Sequence, residues 1–218
     1  ACGNEIASEK PMVRKYIIDS LCYWASEYHI DGFRFDLMGV LDIETLNEAR
    51  KALLKINPDI IMYGEGWTGG ESTLPESERG MKINAPRTPG IGMFSDDIRD
   101  AVKGHVFYMD ELGFVNGAAD RGEELKQAVT CAKWAKSPMQ SINYLSCHDN
   151  YTLWDRFIIS NSHESEEMRI RMNKLAAAIL FTAQGIPFFL HGEEFARTKI
   201  SEADGAPVEN SYCSPLSV

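Results

Sequence analysis

Five short apolar runs, at 33–37, 60–63, 92–95, 141–146 and 187–190, are separated by stretches of helical period, and no segment repeats. Strands that alternate with helices in this way call for a parallel sheet with helical crossovers. The expected class is therefore α/β, as an open doubly wound sheet or as part of a (β/α)₈ barrel. No Gly-rich phosphate fingerprint follows any run, which counts against the dinucleotide-binding form. Carboxylates follow the runs instead.

Val13, Tyr16, Ile17, Leu21, Trp24 and Tyr28 recur at steps of three and four and predict one apolar face of a helix over 9–27. Ser8 is the expected cap, and Pro11 falls in the first turn, where it is tolerated. Phe33, Phe35 and Leu37 then alternate with Arg34 and Asp36, a strand with two ionisable residues on one face. Asp42 is placed to cap the next helix, whose stripe is Ile43, Leu46, Leu53 and Leu54, and Asn57-Pro58 ends it. The run at 60–63 reads as a buried strand with Gly64-Glu65-Gly66-Trp67 at its end. Residues 66–92 are punctuated by Gly, Pro, Ser and Thr, and a loop of that length in a compact domain favours function. Further helices are expected at 97–103, at 123–136 with Leu125, Val129, Ala132 and Trp134 on its apolar side, and at 166–183. Residues 1–200 read as one partial domain and 201–218 as an irregular tail.

Composition narrows the partners. The 218 residues carry 22 Lys+Arg against 32 Asp+Glu, a formal charge of −10. Without a basic block, nucleic acid and anionic membrane surfaces are not expected partners. Thr182, Gln184, Gly185 and Pro187 interrupt the longest apolar stretch, so it does not predict a membrane span. Cys2, Cys22, Cys131, Cys147 and Cys213 are odd in number and lack CxxC spacing, and are expected to be free thiols. The first residue is Ala, preceded by neither a Met nor a signal pattern, so a processed chain or a fragment is expected. No compartment is predicted.

Asp36, Glu65 and Asp149 each lie at or just past the C-terminal end of a different predicted strand, where parallel α/β folds place their active sites. Acids there also cap helices, and Asp149 is the most cap-like of the three. Two facing carboxyl groups suit glycosidic cleavage, one as nucleophile and one as protonated general acid. Arg34 on the face of Asp36 favours its ionised form, and the neighbours of Glu65, Gly66 and Trp67, favour a proton on Glu65. The same acids could bind a metal with His148, His191 or His105, although no HxH, HxxxH or HExxH spacing occurs and Arg34 would repel a cation. Buried ion pairs of purely structural purpose are the remaining reading. Trp67 can stack on a sugar or cover the sheet end, Glu193 and Glu194 can cap a helix or touch substrate, His191 reads as structural, and Cys147 as packing.

Asp31-Gly32-Phe33-Arg34-Phe35-Asp36-Leu37, Gly64-Glu65-Gly66-Trp67 and Ser146-Cys147-His148-Asp149-Asn150 resemble, in order, three conserved motifs of the α-amylase superfamily of retaining glycoside hydrolases. The stretch 28–39, the Gly-Glu-Gly-Trp-Thr-Gly-Gly run at 64–70, Phe94-Ser95-Asp96-Asp97-Ile98-Arg99-Asp100 and His191-Gly192-Glu193-Glu194-Phe195 with Arg197-Thr198-Lys199 look more narrowly like type I pullulanase, as does Asn210-Ser211-Tyr212. The resemblance implies that 1–200 is an incomplete (β/α)₈ TIM barrel, about strands 4 to 8, with the first strands and first conserved motif upstream of Ala1. It implies Asp36 as nucleophile, Glu65 as general acid/base and Asp149 as transition-state stabiliser, with Arg34, His148 and Trp67 binding substrate. The implied reaction is retaining hydrolysis of α-1,6-glucosidic linkages in pullulan and branched α-glucans. An isoamylase, an α-1,4-glucan hydrolase or a non-catalytic carbohydrate-binding barrel are the alternatives. No metal and no cofactor is required by this reading, and calcium is left open.

Overall fold

A computed structural model describes residues 5–70, 72–201 and 205–208. The strands are β1 (Gly32–Phe35), β2 (Ile61–Gly64), β3 (Gly92–Ser95), β4 (Ser141–Asn143) and β5 (Ile186–Pro187), and they follow one another across the sheet in chain order. The helices are α1 (Pro11–Glu27), α2 (Ile43–Leu53), α3 (Asp96–Lys103), α4 (Gly122–Val129), α5 (Leu153–Ser160) and α6 (Glu166–Thr182). The α/β class expected from the alternation is the class observed. By contacts the chain divides into two compact units, Ala1–Phe94 with Lys133–Ile142, and Ser95–Ala132 with Asn143–Val218.

In the first unit α1 and α2 cover one face of the β1-β2-β3 ladder. The core is Met38, Leu46, Ala49, Leu53, Ile60, Met62, Ala85, Ile91 and Met93, and Ile18, Leu21, Cys22 and Ala25 of α1 pack on it. Tyr16, Trp24 and Tyr28, expected on the buried face of that helix, are exposed. The apolar arc of α1 is wider than the strip it buries, and docking on α2 selects the Leu21 side. Ser8 does not cap α1, whose N-cap is Lys10 without a side-chain bond. Its hydroxyl instead donates to Asp42 Oδ2 at 2.6 Å. Asp42 caps α2 as expected, accepting from Thr45 N at 2.8 Å, while Leu54 of the expected stripe is exposed. The loop at 66–92 contains two 3₁₀ turns, Glu76–Glu78 and Lys82–Arg87. Buried Gln140 clamps the second, its Nε2 donating to the carbonyls of Ala85 and Thr88 at 3.0 and 3.1 Å.

In the second unit α3, α4, α5 and α6 enclose Ile98, Val102, Ala128, Leu145, Leu153, Phe157, Ala176 and Leu180. The expected helix 123–136 stops at Val129, and Cys131 takes a φ of 107°. Trp134 is therefore off the helix and packs against the core of the first unit's own segment, with Lys82 Nζ 6.0 Å from its ring centroid. The strands expected at 141–146 and 187–190 are shorter than their apolar runs, ending at Asn143 and Pro187. Helix α5 has no counterpart among the expected elements. Thr152 starts it, accepting from Asp155 N at 3.1 Å. Cys22, Cys131 and Cys147 are free thiols, and Cys2, Cys213 and Asn210-Ser211-Tyr212, for which expectations were stated, lie outside the described residues.

Candidate active site

Strands β1 and β2 pair in parallel with Arg34 opposite Tyr63 and Phe35 opposite Gly64. The next residue on each chain is a carboxylate, and Glu65 N donates to Phe35 O at 3.0 Å, extending the ladder by one step. Paired residues of a parallel ladder share a face, so Asp36 and Glu65 emerge side by side at its C-terminal end. Gly64 is needed for this approach: a Cβ there would stand 2.6 Å from the carbonyl oxygen of Phe35.

One guanidinium joins the two acids. Arg34 donates through Nη1 to Asp36 Oδ1 and through Nη2 to Glu65 Oε1, the latter at 2.7 Å. Its Cζ lies 5.7 Å from the centroid of the Phe94 ring, a cation–π contact that backs the charge with an apolar wall. The second oxygen of Glu65 accepts from Leu37 N at 2.7 Å. That bond exists because Leu37 leaves the strand and takes a left-handed conformation, φ 43°, ψ 48°, a costly state for a Leu that the surrounding bonds hold in place. The strand expected through Leu37 therefore ends two residues early, at Phe35. Gly39 N then donates to the carbonyls of Glu65 and Trp67 at 3.2 and 3.0 Å, tying the turn after β1 to the segment after β2. Trp67 is half-buried and contributes this backbone brace.

The two carboxylates differ sharply in access. The side chain of Asp36 is 67% exposed and that of Glu65 only 7%. Arg34, expected beside Asp36, also reaches Glu65, for which an apolar neighbour was expected: the register places both acids within reach of the same guanidinium.

His148 and Asp149 lie in the second unit, on the turn between β4 and α5. Ser146 Oγ at the start of that turn accepts from Leu153 N at 2.8 Å, and Asn150 at its crest has a φ of 58°. His148 Nε2 and Asp149 Oδ2 are 3.6 Å apart, both partly open to solvent. Thr152, not Asp149, caps α5, so the helix-cap reading of Asp149 is removed. Burial pushes the Cys147 thiol up, which suits packing and opposes a thiolate nucleophile.

The burial of three charged groups of this unit is not signalled by the sequence. Lys103 at the end of α3 and Glu193 in the Glu193–Phe195 turn are nearly inaccessible, and neither carboxylate oxygen of Glu193 has a hydrogen-bond partner among the described residues. Burial pushes the Glu193 carboxyl up to about 7 against the opposing pull of Lys103, and burial, aided by the Arg99 charge, lowers the Lys103 ammonium to about 7. The third is Lys199. Lysines near helix ends and after strands read from sequence as solvated, and nothing in their spacing signals burial. Among the described residues no group of three or more His, Cys, Asp or Glu side chains is arranged to hold a metal ion, and no helix is long and apolar enough to cross a membrane.

Comparison with known proteins identifies the family. Residues 4–214 match the family model for the alpha amylase catalytic domain. A pullulanase of Bacillus subtilis (strain 168) is 42% identical over 99% of this chain, which spans 30% of that relative. Among solved structures, pullulanase of Anoxybacillus sp. LM18-11 complexed with maltotetraose superimposes with a TM-score of 0.92 at 48% identity, covering 98% of this chain and 30% of that one. Pullulanase of Paenibacillus barengoltzii in complex with maltohexaose and alpha-cyclodextrin gives 0.91 at 50% identity, over 100% of this chain and 34% of that one. The sheet is accordingly a partial (β/α)₈ barrel, and with the acids at the ends of its strands and a family match over nearly its whole length, this chain belongs to the alpha-amylase catalytic domain family of glycoside hydrolases.

Proposed function

We propose that this chain is the catalytic segment of a longer debranching hydrolase that cleaves α-1,6-glucosidic linkages in pullulan and branched α-glucans with retention. The observation that carries the reading is the in-register ladder that brings Asp36 and Glu65 onto one guanidinium. Retaining hydrolysis needs two carboxyl groups that are close neighbours, about 5–5.5 Å apart. The pullulanase relatives, two of them crystallised with maltooligosaccharides, support the glucan as substrate class.

Exposed Asp36 is the nucleophile. Its carboxylate attacks the anomeric carbon as the glycosidic C–O bond breaks, and Glu65 gives its proton to the departing oxygen. Water then attacks the glycosyl ester, Glu65 takes its proton, and Asp36 is released. Glu65 is closed in by Arg34, so substrate entry exchanges the Arg34 bond for one to the glycosidic oxygen. Arg34 meanwhile orients Asp36 through its hydrogen bond. Asp149 accepts hydrogen bonds from sugar hydroxyls and stabilises the positive charge that develops at the anomeric carbon, with His148 and Trp67 as further sugar contacts.

The test is product analysis on pullulan and on amylose, with a full-length enzyme that carries this chain. Maltotriose from pullulan, released first as the α-anomer, is expected, and Asp36→Ala is expected to abolish turnover. Cleavage of amylose without cleavage of pullulan would replace the debranching reading by an α-1,4 one, and full activity of the Asp36→Ala variant would remove the nucleophile.

A further inference from the structure

The ammonium of Lys199 reaches the turn that carries Asp149. Its Nζ donates to the carbonyl of His148 at 2.6 Å and also to the carbonyl of Asn150. These are the carbonyls of the residues before and after Asp149, so one side chain ties together the two neighbours of a single residue. The turn needs such a restraint. Asn150 is held in the left-handed region, and the Asp149 side chain itself is only loosely engaged, 3.6 Å from His148. Lys199 is 5% exposed, and a buried ammonium is retained only where acceptors replace its water.

The backbone of Lys199 is anchored in turn. Its N–H donates to Asp155 Oδ2 at 2.8 Å, and the same oxygen accepts from the Thr152 hydroxyl at 2.8 Å at the start of α5. A lysine from the segment after β5 is thus locked to the first turn of the helix that follows Asp149. The titratable groups facing it are the Cys147 thiol and the carboxyls of Asp149 and Asp155, with Arg197 the nearby cation. From this geometry we infer that Lys199 is a positioning residue for Asp149, setting its carboxylate by gripping the carbonyls before and after it. The inference deepens the proposed reaction and rests on Asp149 acting in it.

A carboxylate displaced by about 1 Å loses of the order of 100-fold in rate. In the full-length enzyme Lys199→Met, which keeps the stem and removes the three donors, is expected to lower kcat on pullulan by about that factor with KM changed less than about threefold. Lys199→Arg, which can still donate, recovers part of the loss. The deciding measurement is a cycle with Asp149→Asn. If Lys199 acts through Asp149, the double variant is no slower than Asp149→Asn alone. Additive losses, or a Lys199→Met enzyme at native kcat, overturn the inference while Asp149 keeps its role. A fully active Asp149→Asn enzyme instead removes Asp149 from the reaction and the inference with it. Should Lys199→Met not fold, Lys199→Gln is read in the same cycle with the same outcomes.

Discussion

Arg34 and Lys103 represent two ways in which a charged residue is kept away from water. Arg34 is held between two carboxylates whose positions the ladder dictates, so its charge is matched and its geometry serves the acids. Lys103 and Glu193 influence each other electrostatically without a hydrogen bond at the Glu193 oxygens, and burial moves both toward neutrality from opposite sides. The raised Glu193 carboxyl contributes stability that is fully present below its ordinary 4.5 and is lost as pH rises through about 7. The lowered Lys103 ammonium contributes stability that is fully present above its ordinary 10.5 and is lost as pH falls through about 7. The two penalties overlap most near neutral pH. Replacing both, Lys103→Met with Glu193→Gln, is expected to raise resistance to urea most at about pH 7 and less at about pH 5 and about pH 9. A gain that is flat with pH would contradict this account. Asp36, Glu65 and Asp149 were legible as candidates because they follow strands. The buried lysines were not, since burial depends on neighbours far away in the chain.

Among the elements, α2 shows most plainly how local and distant bonds combine. Its cap, Asp42, accepts from Thr45 N, from the Ser8 hydroxyl and, at 3.2 Å, from Arg14 Nη2 of α1. Burial alone would raise this carboxyl, and the bonds from Ser8 and Thr45 with the Arg14 charge outweigh it and hold it below the ordinary Asp range. Asp42→Ala is expected to cost about 2 kcal/mol, the upper end for a lost N-cap, because it also removes the bonds from the Ser8 hydroxyl and Arg14 Nη2. Urea denaturation measures it, and a loss below about 0.5 kcal/mol would show that the cap is solvated and dispensable. The cap itself follows from sequence: Asp before a periodic apolar run. Ser8 was misassigned by the same rule, because its partner lies 34 residues away. Helix α4 ended early and α5 was missed for a related reason. Cys131 turns to positive φ where the pattern continues, and α5 is only 8 residues long, too short for periodicity to stand out.

For the whole molecule, strand order decides what is exposed. The described sheet ends on β1 and β5, and Tyr16, Tyr23, Trp24 and Tyr28 of the α1 region stand exposed. Unpaired strand edges and apolar surface recruit other chains. The isolated 218-residue chain is expected to self-associate, with light scattering giving a mass that rises with concentration. A single monomeric mass across that range would count against this. The chain spans about 30% of the relatives it matches, so its catalytic tests belong in a longer enzyme. The sequence by itself determined the α/β class and the acids that follow the strands, because period, caps and turn residues are local properties. Tertiary structure alone decided that Arg34 is shared, that Leu37 turns left-handed to serve Glu65, and that Lys199 grips the Asp149 turn. Those depend on register and on burial, which arise only when segments distant in the chain are brought into contact.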